Sequence, residues 1–342
     1  MTANVEHLRT LAAVVDGGTF EVAAASLHIT PSAVSQRIKA LEQQSGRVLV
    51  RRSKPVEPTE AGTVLLRLAR QLTLLEAEAT AALADDASAG STPVPLVVNA
   101  DSLATWVLPA LARLDGIAFE LVVDDQEHTL DRLRDGTAMA AIGSDPEPVQ
   151  GCVAHPLGSM VYRAAASPAF VSRWCPEGWT PHAAAVAPML VFDRKDALQD
   201  RYLDTFAPGA RPPRHFIPAS TQFVDAAVLG LGWGMLPDLQ ADALVGEGRL
   251  VVLDDTRVAE VPLYWHQWSL RSTALDSVAA AIAEEAARTL RPPAGRTPGA
   301  AAGRTAGAPA DGTQGAAAGR TRPTASPAPG RARPRTGQRS PA

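Results

Sequence analysis

Residues 19 to 42, TFEVAAASLHITPSAVSQRIKALE, constrain the chain more than any other stretch, because their punctuation fits two short helices meeting at a tight corner. Thr19 follows the Gly17-Gly18 break and is placed to cap a helix from Phe20 to about Leu27. Ala23, Ala24 and Ala25 keep that helix slim enough for a partner helix to approach closely. His28 and Ile29 make the corner. Thr30 then supplies an N-cap, and Pro31 a first-turn residue whose missing N–H is not needed there and whose φ is already helical.

On the second helix Val34, Ile38 and Leu41 fall at i, i+4 and i+7, a stripe that packs inward. Thr30 stands at its start, and Ser32, Ser35, Gln36 and Lys39 occupy the opposite face with Arg37 beside them. Short hydroxyls, an amide and cations are groups that reach phosphate oxygens and base edges in a major groove wide enough for a helix. The competing reading is an amphipathic hairpin with a solvated polar face. Against it stand the capped corner, the alanine-packed first helix, the small polar residues and a basic hairpin just beyond.

The flanking segments fit a DNA-reading head. A helix from Val5 to Asp16, with Val5, Leu8, Ala12 and Val15 inward, braces the pair. Val48 to Arg51 and Val56 to Glu57 can form a β-ribbon around Ser53 to Pro55, a wing carrying Arg51, Arg52 and Lys54 toward the sugar-phosphate backbone. A surface loop with solvated cations fits the same residues. Thr59 caps a helix to about Leu83, on the order of 36 Å long. In it Leu65, Leu68, Leu72, Leu75, Ala79 and Ala82 alternate spacings of three and four, the pattern of a seam against another helix. A dimerisation rod bringing two heads to two half-sites is the simplest use of that seam, with packing on its own chain as the competing one.

The net charge of −4 seems at odds with nucleic acid, but its distribution is not. Residues 291 to 342 carry nine arginines and one aspartate, a balance of +8 that leaves −12 for the rest. Within 32 to 54, however, Arg37, Lys39, Arg47, Arg51, Arg52 and Lys54 face only Glu42, a net of +5 on an acidic body. Phosphate neutralisation is local, so such a patch suffices. No run is long enough to span a membrane and the N-terminus has no export pattern, so a cytoplasmic location is expected. Cys152 and Cys175 could pair in principle, but two isolated thiols fit a reducing compartment and lack the spacing of a metal site.

The expected domains are a head over 1–58, the long helix over 59–84, a linker over 85–95, a two-lobed α/β domain over 96–290 and a tail over 291–342. The linker reading rests on DDASAGSTPVP. From Leu96 strands alternate with helices: LVVNA, IAFELVV and AMAAIG form one group, and PMLVF, RHFIP and GWGML a second. Such a succession predicts parallel strands with helical crossovers. VPLYWHQWSL reads as a returning strand, Leu275 to Leu290 as a closing helix, and two such lobes enclose a cleft. The tail lacks Ile, Leu, Val, Phe, Tyr and Trp, cannot bury a core, and is expected to be disordered. Its arginines could add nonspecific DNA affinity or have no function.

Taken together, FEVAAASLHITPSAVSQRIKALE, PTEAG, LVVNADSLATWVLPAL, ALQDR, GLGWGMLP and LYWHQW resemble the LysR-type transcriptional regulators, and within them the ArgP/LysG subgroup, from about Val5 to Leu290. The resemblance implies an all-α winged helix-turn-helix head, a linker helix that makes homodimers, and an α/β, periplasmic-binding-protein-like effector domain whose contacts build tetramers. It further implies double-stranded promoter DNA of a lysine or arginine exporter gene as the target, activated when a basic amino acid (lysine, arginine or histidine) accumulates, with RNA polymerase a candidate partner. The chain departs from the subgroup in having Gln126 after Asp124 and Asp125, and in continuing past Leu290, where relatives commonly end.

A basic amino acid carries one carboxylate and two cationic groups, so its receptor needs donors at one end and carboxylates at the other. Asn99 to Ser102 lie where a strand hands over to a helix, a place suited to an anion, and Ser102 is the leading carboxylate contact. Ser220, Thr221 and Gln222 hold the corresponding junction of the other lobe, and Asp101, Asp124 and Asp125 are candidates for the cations. Each could instead be a helix cap or a solvated acid. Trp233 and His266 either line the cleft or, more ordinarily, pack the core. Gly230, Gly232 and Gly234 read as a turn, since they lack the dinucleotide fingerprint. Neither a catalytic constellation nor a cofactor or metal motif is expected. The alternative to a regulator is a cytoplasmic amino-acid-binding protein or small-molecule enzyme whose helical N-terminus serves assembly only.

Overall fold

The computed structural model describes residues 4–83, 94–123 and 129–292. The expectations placed on residues 85–93, on Asp124 and Asp125, and on the tail beyond 292 lie outside the described residues.

Helices α1 (Val5–Gly17), α2 (Phe20–Ser26) and α3 (Pro31–Ser45) form the head. Each begins on a side-chain cap: Asn4 accepts from the Glu6 N–H, Thr19 from that of Val22, and Thr30 from that of Ala33 at 3.2 Å. The corner holds His28 at a φ of 54°, which non-glycine residues adopt only where their surroundings impose it. Val34, Ile38 and Leu41 are buried against Leu8, Leu11, Val14, Ala23 and Ala24. The inner face of α1 is therefore Leu8, Leu11 and Val14; Val5, Ala12 and Val15, predicted inward, are half-buried. Both sets obey the helical period, and the position of the neighbouring helices decides between them. Ala25 is exposed, so two alanines rather than three make the close contact.

Strands β1 (Val50–Arg51) and β2 (Glu57–Pro58) pair antiparallel, Arg51 opposite Glu57, to form the wing. Helix α4 (Glu60–Leu83) follows. Thr59 Oγ1 accepts from the Gly62 N–H and donates to Val48 O at 2.7 Å, tying the helix start to the wing. Glycine is required at 62, because a Cβ there would lie 1.9 Å from Leu49 O.

The seam predicted along α4 is divided in the structure. Leu65 is buried in the head core with Leu66 and Ala69, and Leu72 packs half-buried against the same cluster. Leu68 and Leu75 are each 37% exposed. Leu74, off the seam, is buried in the core of the second domain. Arg67 donates to the main-chain oxygens of Gln150 at 2.8 Å, Leu133 at 3.2 Å and Arg134 at 2.8 Å. Arg70 bonds Gly136 O and pairs with Asp16, and Glu78 accepts from Ser272 Oγ at 2.6 Å. Packing on its own chain thus takes Leu65 and much of one face of α4, leaving Leu68 and Leu75 open.

The second domain begins with β3 (Val94–Val98), followed by a helix that runs through α5 (Ala100–Ser102), a π-helical turn (Leu103–Val107) and α6 (Leu108–Leu111). After β4 (Phe119–Val123), α7 (Thr129–Arg134) and β5 (Ala140–Gly143), the long strand β6 (Cys152–Ala166) crosses into the other lobe. That lobe holds α8 (Pro168–Trp174), α9 (Pro181–Val186), β7 (Met189–Val191), α10 (Leu198–Phe206), β8 (Arg214–Phe216), α11 (Ser220–Val228), β9 (Gly234–Pro237) and α12 (Asp238–Gly246). β10 (Val251–Trp268) crosses back and α13 (Thr273–Thr289) closes the first lobe.

Strands β3, β4 and β5 are parallel, as are β7 and β8, matching the predicted crossovers. The main sheet, in order β4-β3-β5-β10-β6-β9, is nonetheless mixed, because β10 runs antiparallel to both β5 and β6. β6 is the strand the sequence conceals: Pro156, Gly158 and the run Ala164 to Ala166 give it little β-branched character. The fully buried Trp233 and His266 pack in the core rather than opening onto a cleft, Trp233 edge-on to Trp179 at 5.1 Å. Cys152 and Cys175 are both free thiols.

Candidate functional site

A cavity of about 450 Å³ opens between the lobes, within the range of about 300–1,000 Å³ common for small-molecule sites. The end of β3 brings Asn99 and Asp101 to it, the crossing strand β6 brings Tyr162, the β7–α10 segment brings Asp193, Asp196 and Gln199, and the α11 and α12 starts bring Ser220 and Gln240.

Asp101 is the centre of this arrangement. Its Oδ1 accepts from Ser220 Oγ at 2.6 Å and its Oδ2 from Tyr162 OH at 2.8 Å. Burial raises its pKa, and the two hydrogen bonds pull the other way without cancelling the shift. Burial also holds the Tyr162 phenol well above its usual range, and the Asp101 charge adds to this, so Tyr162 remains the donor. Both donors are neutral hydroxyls. They satisfy hydrogen bonding but supply no counter-charge, which suits the carboxylate to a cationic group on a ligand.

Of the expected effector residues, the structure brings Asp101 and Ser220 to the cavity. Ser102 is not there: it is fully buried and does not line the cavity, and its Oγ is unpartnered. Asn99, itself buried, lines the cavity from that junction instead. Its Oδ1 accepts from the Ser102 N–H at 2.8 Å, which fixes the amide and leaves Nδ2 as a buried, unpartnered donor. Thr221 and Gln222 are exposed on α11 and do not line the cavity, because their positions on the helix point away from the cleft. Asp124 and Asp125 lie outside the described residues. Asp193 and Asp196, not foreseen, are committed largely to main-chain N–H groups: Asp196 accepts from Phe192 and Leu198, and Asp193 from Lys195 and Asp196. NADS carried a signal for Asn99. Tyr162 had none, since its strand was hidden.

On the head, Thr30, Ser32, Gln36 and Lys39 are exposed on α3 and Ser35 is half-buried, all away from the buried Val34 stripe. Arg37 leans instead toward α1, with Nη1 3.4 Å from both Glu6 Oε2 and Thr10 Oγ1. Half-exposed pairs of that length contribute about 0–1 kcal/mol, so the guanidinium is weakly held. Arg51, Arg52 and Lys54 are exposed on the wing; Arg51 lies 3.9 Å from Glu57 and Arg52 stacks over Phe20 at 5.4 Å. A polar helix face and a cationic wing thus stand together on a head joined by one helix to the domain that holds the interlobe cavity.

Two family models match in the same order: the lysR-family bacterial regulatory helix-turn-helix protein over residues 5–63, and the LysR substrate binding domain over residues 94–287. The chain belongs to the LysR-type transcriptional regulators, with a helix-turn-helix that binds DNA and a substrate-binding domain. It is 44% identical over 286 residues to the HTH-type transcriptional regulator LysG of Mycobacterium tuberculosis, covering 83% of this chain and 94% of the relative. It is 40% identical over 294 residues to the lysine export transcriptional regulatory protein LysG of Corynebacterium glutamicum, covering 84% of this chain and 100% of the relative. Among solved structures, ArgP from Mycobacterium tuberculosis superposes with a TM-score of 0.78 at 42% identity, over 86% of this chain and 100% of that one. Full-length LysG from Corynebacterium glutamicum with bound effector Arg superposes with a TM-score of 0.70 at 38% identity, over 84% and 100%. These relatives are named regulators of transcription, which answers the enzyme alternative.

Among the described residues, no helix is long and apolar enough to cross a membrane, and no cluster of His, Cys, Asp and Glu is arranged to hold a metal ion.

Proposed function

We propose that this chain is a cytoplasmic regulator that activates a lysine or arginine exporter gene when a basic amino acid binds between its lobes. The observation that carries the reading is the carboxylate of the half-buried Asp101 with only neutral hydroxyls from Ser220 and Tyr162 upon it, in a cavity that also holds the unpartnered Asn99 Nδ2. A cationic group of the ligand meets the first, and its carboxylate accepts from the second. The names of the lysine export regulator and of the LysG structure with bound Arg support the same ligand class.

In this reading residues 1–58 read promoter DNA through Ser32, Ser35, Gln36, Arg37 and Lys39 and grip its backbone through Thr30, Arg51, Arg52 and Lys54. Residues 59–84 pair two copies, with the open Leu68 and Leu75 at the contact, and the effector domain over 96–290 extends the dimer to a tetramer. RNA polymerase is the partner on which activation acts. Ligand binding shifts the relative population of two lobe arrangements and so the spacing of the two heads.

Calorimetric titration of the full-length protein with lysine, arginine, histidine, leucine and glutamate tests the ligand class. Binding confined to the cationic amino acids is the expected result. Binding of only leucine or glutamate would remove the role given to Asp101.

A further inference from the structure

We propose that Gln199 is a specificity-determining residue of the cavity, whose side-chain carbonyl receives an N–H of the effector's side-chain cation. The inference rests on the basic-amino-acid reading and deepens it.

Among the described residues nine buried side-chain polar atoms have no hydrogen-bond partner, and two of them belong to residues that line the cavity: Asn99 Nδ2 and Gln199 Oε1. The first is a donor, held by its helix cap, and the second an acceptor. Gln199 is only 2% exposed and sits in the first turn of α10, where it lines the cavity and is one of the helix's buried residues with Tyr202 and Leu203. An unpartnered buried carbonyl is destabilising by about 1–3 kcal/mol, and an apolar side chain of similar shape would avoid that. A polar side chain kept in such a place is explained by a partner that arrives with the ligand.

The neighbouring acids sharpen the assignment. Asp196 has both oxygens on main-chain N–H groups, and Asp193 Oδ1 receives two more, so these carboxylates chiefly pin the loop that leads into α10. Asp101 is shared between Ser220 and Tyr162. Gln199 Oε1 therefore adds an acceptor that the loop geometry has not consumed. A guanidinium has five N–H donors and an ammonium three, more than one carboxylate can take.

The test uses full-length protein, arginine and lysine, with calorimetric Kd values for the unaltered chain, Gln199→Met and Gln199→Glu. Gln199→Met is expected to weaken both ligands by about 10-fold, which corresponds to about 1.4 kcal/mol. Gln199→Glu keeps the acceptor and is expected to bind both at least as tightly as Gln199→Met. A Kd within about two-fold of the unaltered protein for Gln199→Met, or weaker binding by Gln199→Glu than by Gln199→Met, overturns the assignment. Should either variant fail to fold, a crystal structure of the unaltered protein with arginine decides: Oε1 within hydrogen-bond distance of a guanidinium nitrogen supports it, and a water or the ligand carboxylate there overturns it. An unaltered protein that binds neither amino acid removes the proposed function and this inference together, whereas normal binding with indifferent variants removes this inference alone.

Discussion

The hydroxyl of Ser220 donates to Asp101 Oδ1 at 2.6 Å, joining the first turn of α11 in one lobe to α5, just after β3, in the other. Hydrogen bonds to an ionised acceptor contribute about 1.5–3 kcal/mol, so this bond is a latch between the lobes. Ser220→Ala is therefore expected to lower the Tm of the ligand-free protein by several degrees in scanning calorimetry. An unchanged Tm would mean that the lobes do not rely on it.

Asp101 also sets a pH dependence whose sign is fixed by burial. Its pKa is raised, and a cationic ligand needs the ionised form, so arginine affinity is complete above the raised pKa and falls as the pH drops through it. The ligand-free protein moves the other way. A carboxylate with a raised folded-state pKa binds more protons folded than unfolded, so stability rises as the pH falls from that pKa toward the ordinary carboxylate value. Asp101→Asn is expected to flatten both trends and to weaken arginine by about 100-fold at neutral pH, read by calorimetry over the acidic to neutral range. A variant that kept the affinity would show that the ligand cation lies elsewhere.

In the proposed reading the face of α3 specifies the sequence and the wing holds the backbone. Gln36→Ala is expected to weaken a preferred duplex by about 1–3 kcal/mol while leaving random duplex unaffected. Lys54→Ala, on the wing, is expected to weaken both alike and to lower the slope of log affinity against log salt by about 1. Fluorescence anisotropy on the two duplexes at several salt concentrations separates these effects, and identical behaviour of the two variants would contradict the division.

Gly62 carries a different prediction. With Leu49 O 1.9 Å from where a Cβ would lie, Gly62→Ala must push α4 away from the wing. Overpacking of this kind destabilises by about 1–3 kcal/mol, visible as a lower urea midpoint with the m value retained.

The parts of this molecule legible in its sequence are those where local chemistry dictates structure. Thr19, Thr30 and Pro31 start their helices because capping is a short-range matter, and Val34, Ile38 and Leu41 are buried because a stripe on a helix must be covered. The inner face of α1 was not legible, since two stripes fit one period. β6 was hidden because its pairing with β10 comes from residues about a hundred positions away, not from its own propensity. The same distance explains the cavity. Asp101 is recognisable as an acid after a strand, but that Ser220 and Tyr162 would meet it, and that Asn99 rather than Ser102 would line the cavity, depends on how β6 and β10 bring the lobes together.

The most direct test couples the two ends of the molecule. Full-length protein is titrated into a fluorescent duplex from the DNA upstream of its own gene or of a neighbouring exporter gene, with and without arginine, lysine or glutamate. Salt-sensitive binding whose affinity or footprint changes with arginine or lysine and not with glutamate is the predicted result. Binding indifferent to all three, or none to any duplex, would contradict a regulator governed by a basic amino acid.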